Sequence, residues 1–327
     1  MQKNLAQFKI GYGPMSREII DILLDYAVIS PLMIICSRNQ VDYKDAYVCD
    51  QTYLSSAVKN NKNILLCRDH CGPYFKDSDK TLSLTDAIEE CKKTIAKDIE
   101  SDFDLIHIDV SKVDNLFGVA EELIEFSLKL NPNILMEFGS EENTGTNLDE
   151  TFSYLDNQLD FCQQYKNSIK FIVSQTGSLI KEKQVGNFNI EHNKIIADKI
   201  HRAGFLFKEH NGDYLNSESV KLRWKAGIDA INVAPQLGVI QTELLLELAD
   251  GSKELEMFKE RVYNGNKYQR WLNSSDYSNK HEAVRISGHY FFGTTEYKKL
   301  LDSLDQEFFY KTLKDNIFQC LDTYRNF

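Results

Sequence analysis

The chain has 327 residues, 38 basic and 49 acidic side chains, a net charge of −11 and 42% hydrophobic content. The hydrophobic content suffices for a substantial core, and the acidic balance leaves no basic face for a phosphate backbone, which argues against nucleic acid as a partner. The longest apolar runs, such as residues 31–36, fall far short of the ~20 residues of a spanning helix, and the N-terminus leads into no signal-peptide core; a cytoplasmic protein without membrane contact is expected.

Short aliphatic or β-branched runs recur along the chain, each followed by a stretch of helical period, which is the pattern of repeated βα units around a parallel sheet. The first predicted strand, residues 32–36, runs into Ser37-Arg38-Asn39-Gln40. The second, 64–67, runs into Arg68-Asp69-His70, and a helix over 85–99 follows, opened by Thr85 and Asp86. The third, 105–109, contains His107 and Asp109 and precedes a helix over 113–130. Residues 134–138 form the fourth, which carries Glu137, and a helix over 148–165 comes next. The fifth, 170–174, opens into Ser174-Gln175-Thr176-Gly177 ahead of a helix over 190–203. The sixth, 205–208, leads into Lys208-Glu209-His210-Asn211, with a helix over 217–226 behind it. Asn232 ends the seventh, 230–233, which a helix over 239–249 follows. An eighth strand is assigned to 284–290, ahead of a final helical segment over 297–324.

Eight strands alternating with helices predict a (β/α)8 TIM barrel over residues 1–290 with a C-terminal helical extension over 291–327. An open doubly wound sheet is the competing architecture, but the chain has neither G-x-G-x-x-G nor G-x-x-x-x-G-K-[ST]. After residue 250 the period breaks into a polar, aromatic stretch, a candidate lid or oligomerisation element. The seven cysteines lack any C-x-x-C spacing and are read as reduced thiols.

Barrel chemistry sits at the C-terminal ends of the strands, where this chain repeatedly places polar groups directly after apolar runs. Asp69 and His70 are adjacent there; as strand neighbours they point to opposite sides, and they can serve as base and metal ligand around one substrate. Asp69 and Glu209 are the candidate catalytic carboxylates. His70, His210 and Glu137, from three strands, make a candidate three-ligand site for a divalent ion, most simply zinc. His107 is read as a packing residue, and His289 is the reserve ligand. Arg38, Asn39, Gln175, Gly177, Asn211 and Asn232 are candidate substrate or phosphate contacts, with Gln175-Thr176-Gly177-Ser178 offering a backbone turn for an anion.

The runs Ser37-Arg38-Asn39-Gln40-Val41, Asp69-His70-Cys71-Gly72-Pro73, Ile106-His107-Ile108-Asp109-Val110-Ser111, Lys208-Glu209-His210-Asn211-Gly212-Asp213-Tyr214 and Asn232-Val233-Ala234-Pro235 resemble the tagatose-bisphosphate aldolase accessory subunit family. That family is similar to the metal-dependent class II ketose-bisphosphate aldolases, which are barrels. The resemblance spans about residues 30 to 250. It implies that Asp69 is the acid/base residue, that His70, His210 and Glu137 hold a metal, and that Gly177, Asn211 and Asn232 lie near a sugar phosphate. A further ligand histidine is implied after the fifth predicted strand, where this chain has Ser174-Gln175-Thr176 instead. The expected activity is reversible C–C cleavage of a ketose phosphate, tagatose- or fructose-like, as a 4-epimerase or an aldolase. The alternatives are a non-catalytic subunit that stabilises a catalytic aldolase, and an enzyme for an unusual or nucleotide-linked sugar. The expected partners are a phosphorylated sugar, a second copy of the chain in a homo-oligomer, and in the accessory case an aldolase subunit.

Overall fold

A computed structural model describes residues 3–139 and 148–325, so the last two residues of the 291–327 extension lie outside the described residues. The strands are β1 (Ile10–Tyr12), β2 (Leu32–Ser37), β3 (Ile64–Cys71), β4 (Leu105–Ile108), β5 (Leu135–Gly139), β6 (Ile169–Val173), β7 (Leu206–Glu209) and β8 (Ala230–Val233). All pair in parallel in chain order, and β1 pairs with β8 to close the barrel. Helices α1 (Arg17–Ala27), α2 (Gln51–Val58), α3 (Leu84–Glu100), α4 (Leu116–Leu130), α5 (Leu148–Gln163), α6 (Ile190–Ala203) and α7 (Ser217–Ala226) each follow a strand. After β8 come α8 (Pro235–Leu248), α9 (Lys253–Asn264), α10 (Lys280–Ser287), α11 (Thr295–Asp302) and α12 (Gln306–Arg325). Among the described residues, no helix is long and apolar enough to cross a membrane.

The eighth strand is not where the periodicity puts it. Residues 284–290 belong to α10 and the 3-10 turn Gly288–Phe291. Asn279 caps this helix by accepting the Glu282 N–H, and the buried Ala283, Val284, Ile286 and Ser287 follow helical spacing, so the apolar run that mimics a strand is one helix face. The missing strand is β1, whose three residues are too few to show any period. Gly11 at its centre is required by closure: a Cβ there would lie 2.5 Å from Asn232 Oδ1 and 2.8 Å from Ile35 Cγ2.

The last helix is part of the barrel's packing. Leu313, Ile317, Leu321 and Tyr324 of α12 are buried in the main apolar core with Tyr12 of β1 and Tyr26 of α1. Tyr324 also donates from its hydroxyl to the Gly212 carbonyl at 2.8 Å.

Inside the barrel, Met33, Ile35, Leu65, Cys67, Leu105, Leu135, Phe171 and Ala230 form a second apolar cluster, with Leu206 packed against it. Side chains alternate along a strand, so the next inward position toward the C-terminal end lies two residues on. From Cys67, Leu105, Leu135, Leu206 and Ala230 that step arrives at Asp69, His107, Glu137, Lys208 and Asn232. The apolar floor therefore gives way to a polar layer on five strands at once.

Candidate metal centre and active site

A β-bulge shapes the first part of the site. Arg68 pairs with Ile106 and Cys71 with Ile108, so β3 carries one residue more than β4 between them. His70 absorbs the excess with a positive φ of 44°, and Gly72 follows so close to β4 that a Cβ would lie 1.5 Å from the Asp109 carbonyl oxygen. The alternation expected of Asp69 and His70 is thereby broken. Both side chains turn to the mouth, with His70 Nε2 3.7 Å from Asp69 Oδ2, rather than pointing to opposite sides.

Three imidazoles surround the Asp69 carboxylate, each anchored by an acceptor that fixes its proton. His70 Nδ1 lies 2.7 Å from Asp109 Oδ2, His107 Nε2 lies 2.7 Å from the Gly139 carbonyl, and His210 Nε2 contacts Glu137 Oε1. Carboxylates and carbonyls only accept, so these nitrogens carry the protons, and in the neutral rings the remaining ones present lone pairs. Those nitrogens converge on Asp69: His107 Nδ1 and His210 Nδ1 each lie 3.6 Å from its Oδ1. His107 Nδ1 also accepts the His70 backbone N–H at 3.2 Å. Asp69, His70, His107 and His210 offer one ligand atom apiece within 4.8 Å of one another.

This donor set fits a divalent ion such as zinc. Asp69 Oδ1 is buried without a hydrogen-bond partner, facing nitrogens that, in neutral rings, have no proton to give it. A cation between them satisfies both sides, and the Asp109, Gly139 and Glu137 anchors are the outer partners that orient ligating histidines.

The electrostatics agree. Burial alone would raise the Asp69 carboxyl, but His70, His107 and His210 hold it well below the usual carboxylate range. Burial would lower His70, yet Asp69 and Asp109 carry it up to about 9, so without an ion its outer nitrogen holds a proton at neutral pH, which a metal ion would displace on binding. For His210 burial outweighs Glu137 and Asp69 and pushes the ring down to about 4, leaving it neutral as a ligand must be. Glu137 is held low against its burial by Lys208, His210 and His107. With Lys208 Nζ 2.6 Å from its Oε2 and His210 on Oε1, Glu137 sits behind His210 as the group that orients it.

A cavity of about 310 Å³ opens above this cluster. Asn39, Asp69, His70, His210, Asn211 and Asn232 line it, six of the residues singled out in the sequence. The others point elsewhere. Arg38 lies outside the barrel wall, on Thr94 of α3 and on Asp79. Glu209 is one step out of phase with Lys208, so it faces the helices; Arg223 Nε of α7 lies 3.0 Å from it, and Thr176 and Ser178 donate to it. Gly177 holds a left-handed turn at φ 86° beside the Asn187 carbonyl, and neither it nor Gln175 lines the cavity. His107 and Lys208, not assigned to the site in the sequence, complete it. Their signal was the two-residue step from Leu105 and Leu206.

The site and the closed parallel sheet together define a (β/α)8 barrel with its polar constellation at the C-terminal mouth. No family model matches the chain, and no curated protein matches it. Among solved structures, a probable tagatose 6 phosphate kinase from Sinorhizobium meliloti 1021 superposes with a TM-score of 0.73 at 15% identity, over 94% of this chain and 87% of that one. The fructuronate-tagaturonate epimerase UxaE from Cohnella laeviribosi gives 0.58 at 11% identity, over 97% and 81%. The YdjI aldolase from Escherichia coli K12 gives 0.51 at 14%, over 90% and 96%. At such identities the shared property is the barrel, and the resemblance to aldolase accessory subunits rests on the sequence motifs.

Proposed function

We propose that this chain is a divalent-metal carbohydrate enzyme that cleaves and re-forms a C–C bond of a ketose phosphate, as an epimerase or an aldolase. The observation that carries the reading is the convergence of three anchored imidazoles on the buried, unpartnered Asp69 Oδ1. The similarity of the barrel to an aldolase and to an epimerase supports the same chemistry. His70, His107 and His210 would hold the ion, which would supply Lewis-acid polarisation of a substrate carbonyl.

The chain's own residues account for the proton. Asp69 stays ionised among the imidazoles and takes the proton from the hydroxyl that becomes an aldehyde, returning it when the bond re-forms. Lys208 and Glu137 neutralise each other within the wall, so Glu137 keeps the His210 ring in its ligating tautomer without adding net charge to the cavity. Asn211 and Asn232 lie along the substrate path.

Zinc content and ketose-phosphate turnover of the wild type, His107→Ala and Asp69→Asn test the reading. His107→Ala is expected to lose zinc affinity by roughly 100-fold and turnover with it. Asp69→Asn, which keeps a side-chain oxygen beside the imidazoles, is expected to hold zinc within roughly tenfold of the wild type and to lose turnover by roughly a thousandfold. A His107→Ala protein that holds zinc as tightly as the wild type would sink the ligand assignment. Zinc binding without turnover of any ketose phosphate would point instead to the non-catalytic partner role.

A further inference from the structure

The cavity has a second wall that the proposed reaction does not use. It comes from beyond α9, where Trp271 and the turn Gly288–Phe291 contribute to the same cavity as Asp69, His210 and Asn232. His289 in that turn is fully buried, and neither of its ring nitrogens has a hydrogen-bond partner. The Trp271 indole N–H is likewise buried and unpartnered. Buried donors and acceptors left unmet are costly and rare, and here they gather on one cavity wall.

Packing holds the ring in place. α8 has a glycine beneath it, since a Cβ at Gly238 would lie 2.5 Å from the His289 Cβ, and the Tyr290 ring sits 4.2 Å away, centroid to centroid. Burial, with the Arg270 cation beside it on the same wall, pushes the imidazole down to about 3, so it is neutral and carries one N–H and one lone pair. A Cβ at Gly238 would also lie 3.2 Å from His289 Nδ1, so that nitrogen faces α8 and Nε2 is the one left for a ligand; a hydroxyl, which both donates and accepts, satisfies Nε2 in either tautomer, and a second hydroxyl oxygen accepts the indole N–H.

We propose that His289 and Trp271 form a hydroxyl-binding wall that reads the polyol portion of an open-chain carbohydrate, while the Asp69 and histidine cluster engages its reacting end. The assignment rests on the carbohydrate reading above and adds to it the residues that choose among sugars.

Sorbitol 6-phosphate and sorbitol lack a carbonyl, so their binding to the zinc-loaded full chain, measured by calorimetry, reports recognition separately from chemistry. His289→Phe, which removes both polar atoms, is expected to weaken binding at least roughly tenfold with zinc content unchanged. His289→Gln, which keeps a donor and an acceptor, should stay within roughly threefold of the wild type. Trp271→Phe should lose roughly threefold, and it tests the wall even if His289→Phe fails to fold. Binding by His289→Phe or Trp271→Phe equal to that of the wild type overturns the assignment, as does a wild type that takes up neither polyol. Polyol binding that depends on His289, in a chain that converts no ketose phosphate, would leave the wall standing and remove the reaction; turnover with His289-independent binding would do the reverse.

Discussion

The burial of His289, beside the Arg270 cation, has a direct consequence for stability. Its folded value of about 3 lies below the ordinary 6.5, so between those values the unfolded chain takes up a proton that the folded chain refuses. Stability therefore falls as pH drops through 6.5 toward 3. Between neutral pH and about pH 5 this one group accounts for on the order of 2 kcal/mol of the loss. Denaturant unfolding at both pH values should show a shallower loss in His289→Gln than in the wild type; equal slopes would mean the ring is already protonated or solvated in the fold. At this scale the sequence exposes Asp69, His70 and His210, because acid and imidazole beside a Gly turn stand out from apolar runs. His107 is harder to see. It lies within its strand, so only the barrel's inward phase separates a ligand there from a packing residue.

At the scale of single elements, β3 governs the site. Without its bulge Asp69 and His70 would face opposite sides of the wall, and the carboxylate would lose the imidazole 3.7 Å away. Gly72 permits the bulge by letting β3 approach the Asp109 carbonyl. Gly72→Ala places a methyl group 1.5 Å from that backbone oxygen, which only a main-chain shift relieves. A loss of about 3 kcal/mol in denaturant unfolding is expected, together with weaker zinc binding as Asp109 moves off His70. An unchanged midpoint and unchanged zinc affinity would show that the strand end is looser than its contacts imply. Phase also explains Glu209: it is adjacent to Lys208 and His210 in sequence, but its place in β7 sends it to Arg223 on α7. Arg38 is withdrawn similarly, by Thr94 and Asp79 behind the wall.

For the whole molecule, the tail after β8 is as much a part of the barrel as the βα units. α12 packs on α1, α7 and α8, and its Ile317 is fully buried in the same core as β1 and α1. Ile317→Ala should destabilise the entire protein by about 3 kcal/mol in one cooperative transition. Loss of the C-terminal helix alone, with the barrel transition unmoved, would contradict this. The segment between α9 and α11 meanwhile roofs the mouth through Trp271, His289 and Tyr290. The sequence by itself determined the barrel, because apolar runs alternating with helical periods are local signals, repeated over six strand–helix pairs, and it determined which strand ends carry polar groups. Only the tertiary structure decided where the eighth strand lies, since a three-residue strand is defined by its neighbours rather than by its own period. It alone also decided which side of the wall each polar residue faces and which distant segment covers the cavity. Those are properties of register, bulge and long-range packing, and no window of local sequence contains them.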